Sequence, residues 1–118
     1  VDFFVKVDYK VIKKCLILTI GAELDHHEAK KIKSITENLM RRGVTRHLIL
    51  DFRNTKFMDS AGIGMIISRY KEISLRGGKI SIINAAEPVK KLILISGLHQ
   101  LVYEYECLDD ALTGLYVK

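Results

Sequence analysis

Short apolar runs alternate with longer amphipathic stretches along this chain, and that alternation leaves few folds open. The runs are Cys15-Leu16-Ile17-Leu18-Thr19-Ile20, His47 to Phe52 around Leu48-Ile49-Leu50, Lys79 to Asn84 around Ile80, Ile82 and Ile83, and Leu101 to Tyr105. Each has the length of a strand. A strand that is apolar at consecutive positions must be covered on both faces. The intervening stretches carry a helical period. His26 to Arg42 places Ala29, Ile32, Ile35 and Leu39 on one face, and Ser60 to about Leu75 does the same with Ile63, Ile66, Ile67, Tyr70 and Ile73. A third helix starts near Pro88, which suits a first turn, and runs to about Ser96; a fourth spans Asp109 to Tyr116. Gly43, Gly77-Gly78 and Gly97 close the first three.

Ahead of the first helix, Phe3 to Tyr9 alternates and predicts a strand with one buried face. Val11 to Ile20 predicts a second, more central strand, and the short gap between the two predicts an antiparallel pair joined by a tight turn. The element order is therefore β-β-α-β-α-β-α-β-α. It implies an α/β fold with a mostly parallel mixed sheet, an antiparallel first strand and about four helices. With 118 residues, 48% hydrophobic and 28% charged, the chain suits one domain spanning 1–118 with its own core.

Composition removes several function classes. No apolar run approaches the ~20 residues of a membrane helix. Val1-Asp2-Phe3-Phe4 lacks the basic-then-apolar pattern of a secretory signal, so none is expected. No phosphate-binding loop is present, and Gly62-Ile63-Gly64 is too short for a dinucleotide fingerprint. Cys15 and Cys107 lie far apart without metal-ligand spacing, which predicts buried reduced thiols and a cytoplasmic location. The net charge is +5, with basic clusters at Lys30-Lys31-Lys33 and Arg41-Arg42. Arginine and aromatic residues are not interleaved there, so a solvated helix face is favoured over a nucleic-acid surface, and an acidic protein is the better partner.

Loops that follow parallel strands gather along the carboxyl edge of a sheet. The segments around Asp25, Asp59-Ser60 and Ala85 to Pro88 are therefore expected to share one edge. Asp25, with Glu28 three residues later, forms a capping-box-like start to the first helix. Asp25-His26-His27 is a poor metal set, because adjacent helical residues diverge. The most informative segment is Phe57-Met58-Asp59-Ser60-Ala61-Gly62-Ile63-Gly64. Its serine is either a residue of a helix cap or a hydroxyl reached by a partner. Ala61 and Gly62 are expected to leave the backbone open to another protein. A serine hydrolase would need His26 or His27 to reach Ser60 along the shared edge, yet no Gly-x-Ser-x-Gly elbow is present and nothing indicates an oxyanion hole.

With Glu23-Leu24-Asp25-His26-His27, Ser68-Arg69-Tyr70-Lys71 and Ser96-Gly97-Leu98 added to that segment, the chain resembles the anti-sigma factor antagonists, bacterial proteins of the STAS fold. The first of these segments points to the sporulation branch. The resemblance implies a protein without cofactor or catalytic activity, a monomer when free, that binds neither nucleic acid nor membrane. It implies binding to a nucleotide-bound anti-sigma factor that is also a serine kinase, which releases a sporulation sigma factor. Phosphorylation at Ser60 would end that binding, and a metal-dependent serine phosphatase would restore it. Partner contact is implied for Asp25, Asp59, Ala61, Gly62, Glu23 and His26. Two readings stay open beside it: an antagonist in a general-stress sigma pathway, and a small-ligand or nucleotide-sensing STAS module. Relatives often carry a second serine where Ala61 stands, and a glycine where Ala22 precedes Glu23.

Overall fold

The structure is a computed structural model that describes residues 8–116. In chain order the elements are β1 Asp8–Ile12, β2 Cys15–Thr19, β3 Glu23–Leu24, α1 His26–Arg41, β4 His47–Asp51, β5 Phe57–Met58, α2 Ser60–Leu75, β6 Ile80–Ile83, α3 Glu87–Ile95, a 3-10 turn Leu98–Gln100, β7 Tyr103–Tyr105 and α4 Leu108–Tyr116. The main sheet has the order β1-β2-β4-β6-β7. β1 runs antiparallel to β2, and every other pairing in the sheet is parallel. The mixed sheet, the antiparallel first strand and the four helices are as the sequence predicts.

The hairpin boundary is not. The sequence predicts Phe3 to Tyr9 and Val11 to Ile20 as its strands, but Val11 and Ile12 belong to β1 and the turn falls at Lys13-Lys14. Both lysines have positive φ, 49° and 66°, the backbone of a tight two-residue hairpin loop. Lysine is not a turn residue, so no local signal marks the reversal. Residues 3–7 of the expected first strand lie outside the described residues.

Successive parallel strands lie side by side in chain order. Right-handed connections then place α1, α2 and α3 on the same face of the sheet. Side chains alternate between the faces of each strand. Leu16, Leu18, Leu48, Leu50, Ile80 and Ile82 pack with Ile32, Ile66 and Ile93 of the three helices. Cys15, Ile17, Ile49 and Ile83 face the other way, onto Ala111 and Leu115 of α4. This two-sided burial is why the strands read as continuous apolar runs. The expectation of two buried thiols holds for Cys15 and fails for Cys107, which is exposed. Cys107 stands just before α4, where its carbonyl accepts from the Ala111 N–H, and so it falls in a surface loop rather than the core.

A second, two-stranded sheet was not legible in the sequence. β3 and β5 pair in parallel, Glu23 with Phe57 and Leu24 with Met58. Two residues are too few to show a period. Their effect is to tie the segments that precede α1 and α2 directly together.

Candidate functional site

The site grows from two helix starts that share one edge. Asp25 is the N-cap of α1, and its Oδ1 accepts from the Glu28 N–H at 3.0 Å. That bond, above all, holds the Asp25 carboxyl below its ordinary pKa. The reciprocal half of the expected capping box is absent. Glu28 Oε2 accepts instead from the Gly21 N–H at 3.0 Å, so the glutamate locks the turn leaving β2. A Cβ at Gly21 would lie 3.3 Å from that carboxylate oxygen, a tight contact that the glutamate side chain would have to accommodate.

Asp59 is the N-cap of α2. Its Oδ1 accepts from the N–H groups of Ala61, at 2.9 Å, and Gly62, at 3.1 Å. The cap is therefore Asp59 and not Ser60. Ser60 is exposed, and its hydroxyl has no hydrogen-bond partner among the described residues. Of the two readings of this serine, the accessible hydroxyl is the one the geometry supports. The nucleophile–base contact that a hydrolase needs is not formed.

β3 and β5 bring Asp25 and Asp59 to adjacent strand ends, one residue beyond the Leu24–Met58 pair. Lys56 N–H donates to the Ala22 carbonyl at 2.8 Å, and Asp59 N–H to the Leu24 carbonyl at 3.2 Å. The expected meeting of the Asp25 and Asp59-Ser60 loops is present, and the loop before α3 follows β6 in the same direction. Glu23 and His26 are exposed, Asp25, Asp59 and Ala61 half-buried. The His26 and His27 rings diverge, with centroids 6.3 Å apart and planes inclined by 59°.

Gly62 requires a correction. It is buried, and a Cβ there would fall against the Leu24 carbonyl oxygen and 2.7 Å from Leu24 Cγ. Its missing side chain lets β3 pack on α2 rather than opening a surface to another protein. The open glycine is Gly64, which is exposed and whose Cβ would meet nothing within 4 Å. Gly64 lines a groove of about 240 Å³ between α1 and α2, together with His26, Lys30, Ala61, Ser68 and Arg69. One turn spacing from Ser60 is the signal that could have marked Gly64 from sequence.

Arg69 is the other missed residue. It sits on the inner face of α2, 3% exposed, pairs with Glu72 of the same helix at 2.5 Å and reaches across to Glu37 of α1 at 3.4 Å. Its charge hid it from an apolar stripe.

The STAS domain family matches residues 6–111 of the chain. The chain belongs to the STAS domain family. An anti-sigma F factor antagonist of Paenibacillus polymyxa is 35% identical over 102 residues, covering 86% of this chain and 87% of that protein. An anti-sigma-B factor antagonist of Staphylococcus aureus is 25% identical over 87 residues, covering 74% and 80%. The Bacillus cell fate determinant SpoIIAA, solved in its phosphorylated form, superposes with a TM-score of 0.73 at 23% identity, covering 92% of this chain and 98% of that one. In this STAS protein the small β3–β5 pair, the two aspartate caps and the free Ser60 hydroxyl thus form one surface. No helix among the described residues is long and apolar enough to cross a membrane.

Proposed function

We propose that this protein is a phosphorylation-switched antagonist of an anti-sigma factor, acting in the cytoplasm by binding rather than by catalysis. The observation that carries the proposal is the Ser60 hydroxyl, exposed and unbonded at the first position of α2 because Asp59 performs the capping. The partner is an anti-sigma factor with serine kinase activity, bound to nucleotide. It docks on the edge formed by Glu23, Asp25, His26, Asp59 and Ala61 and brings a phosphoryl donor to Ser60. Sigma F is favoured over a general-stress sigma factor because the anti-sigma F antagonist is the nearer of the two relatives, 35% against 25% identical. A metal-dependent serine phosphatase completes the cycle.

The chemistry of the switch follows from the cap. The Ala61 and Gly62 amides are already bonded to Asp59. A phosphate on Ser60 therefore cannot take them without displacing that carboxylate. It adds about −1.5 to −2 charges beside Asp59. In a docked, water-poor contact the cost is like-charge repulsion and desolvation, and about 3 kcal/mol weakens binding by more than 100-fold.

The test is incubation with the purified anti-sigma factor kinase and ATP, followed by peptide mapping by mass spectrometry. One phosphate on Ser60 in the wild type, and none in a folded Ser60→Ala protein, is the expected result. Phosphate on Ser68 or Ser74, or no modification, would overturn the proposal.

A further inference from the structure

A polar cavity of about 380 Å³ opens at the edge of the sheet opposite Ser60. Three segments build it: the last two turns of α2, with Tyr70 and Ser74; the entry to β6, with Lys79; and the stretch from the 3-10 turn into β7, with His99, Gln100 and Tyr103. No carboxylate lines it. The Lys79 ammonium lies 5.4 Å from the centre of the Tyr103 ring, and no carboxylate pairs with it among the described residues. The nearest acidic residue on α2, Glu72, is committed to Arg69 and Arg76.

The wall holding Lys79 is rigid. Gly77 turns the chain with φ +79°, and its carbonyl accepts from the Arg46 guanidinium at 3.1 and 3.3 Å. A Cβ on Gly78 would strike the Arg46 carbonyl and stand 2.9 Å from Ile73 Cγ2, so the chain passes there as closely as a backbone can. The Lys79 N–H donates to His47 Nδ1 at 3.1 Å. Burial first, and then the charges of Arg46 and Lys79, push the His47 imidazole below its ordinary pKa.

We propose that this cavity binds a small organic anion, with its carboxylate or phosphate group at Lys79 and His99 and its body against Tyr70 and Tyr103. The chemistry is an ammonium that stands over the Tyr103 ring from a fixed stretch of backbone, with an imidazole, hydroxyls and an amide as further donors around it. The volume sits near the lower end of the ~300–1,000 Å³ range of small-molecule sites, which suits a metabolite and not a peptide. The α2 residues that line it, Tyr70 and Ser74, stand about 15–21 Å along the helix from Ser60. It shares no residue with the docking edge.

The test is an amide-resolved NMR titration of the whole chain with citrate, with glucose 6-phosphate and with sodium chloride as the ionic control. Saturable shifts at Gly78–Ile80 and His99–Tyr103 with citrate or the phosphate ester, but not with chloride, are expected; the arm that responds identifies the anionic group. Lys79→Gln should weaken the effect at least about tenfold. His99→Gln provides a second variant if the first fails to fold. Shifts spread equally over Lys30 and Lys33, no saturable shift with either anion, or undiminished binding in the folded variants would overturn the proposal.

Discussion

The backbone N–H of Asp59 donates to the carbonyl oxygen of Leu24 at 3.2 Å. The bond spans two segments far apart in sequence and sets the caps of α1 and α2 side by side. Everything attributed to the docking edge depends on that closeness, because Asp25 has no covalent reason to stand near Ser60. The same Leu24 carbonyl lies where a Cβ on Gly62 would go.

Gly62→Ala is therefore expected to destabilise the protein. Alanine favours a helix over glycine by up to about 1 kcal/mol. Here the added methyl collides with backbone, and overpacking of that kind costs about 1–3 kcal/mol. Thermal unfolding followed by circular dichroism should give a lowered Tm. A Tm equal to or above the wild type would mean that β3 yields freely and that the Leu24–Gly62 contact does not organise the edge.

Asp25→Ala separates two roles of one carboxylate. Loss of its bond to the Glu28 amide should cost about 1 kcal/mol of stability, as for other N-caps. Partner affinity should fall as well. Unchanged affinity for the anti-sigma factor kinase alongside reduced stability would reduce Asp25 to a cap.

Asp51 gives a pH prediction. It is fully buried at the carboxyl end of β4, where Oδ2 accepts from Arg53 Nε at 2.8 Å and Oδ1 from Asn84 Nδ2 at 3.0 Å. Burial alone would raise its pKa; the bonds from Arg53 and Asn84 outweigh it and hold the carboxyl below its ordinary value. A lowered folded pKa contributes stability that is complete above the unfolded value and is lost as pH falls through the folded one. The wild type should exceed Asp51→Asn by about 1–2 kcal/mol at neutral pH, and the gap should shrink below about pH 4. Urea denaturation of both proteins across that range is the measurement; a gap that persists unchanged into acid would remove the ionised carboxylate from the explanation.

The sequence showed the sheet, the helices and both aspartate caps because each leaves a repeated or local mark. Leu48-Ile49-Leu50 is apolar at every position since the strand is covered twice, and Asp59 precedes a helical period directly. What it hid depends on contacts between distant residues. The Glu28 carboxylate reaches Gly21 and not Asp25, Gly62 is glycine on account of Leu24, and Arg69 is buried only because Glu37 and Glu72 meet it. The turn at Lys13-Lys14 was invisible for a different reason: the pairing of β1 with β2 imposes a backbone that lysine itself does not favour.

Ser60→Asp is expected to fold as the wild type does, since position 60 is exposed and the cap is Asp59. It places one added charge at the edge where phosphate places nearly two. Kinase affinity should be reduced, but less than by true phosphorylation. Far-ultraviolet circular dichroism checks the fold and calorimetric titration the affinity; wild-type affinity in the folded variant would put Ser60 outside the interface.

The most direct measurement of the switch compares unmodified and Ser60-phosphorylated protein, titrated calorimetrically against the ADP-loaded anti-sigma factor kinase. The docking account predicts tight binding of the unmodified form and a loss of more than about 100-fold on phosphorylation, with both forms equally folded. Equal affinities for the two forms would contradict it.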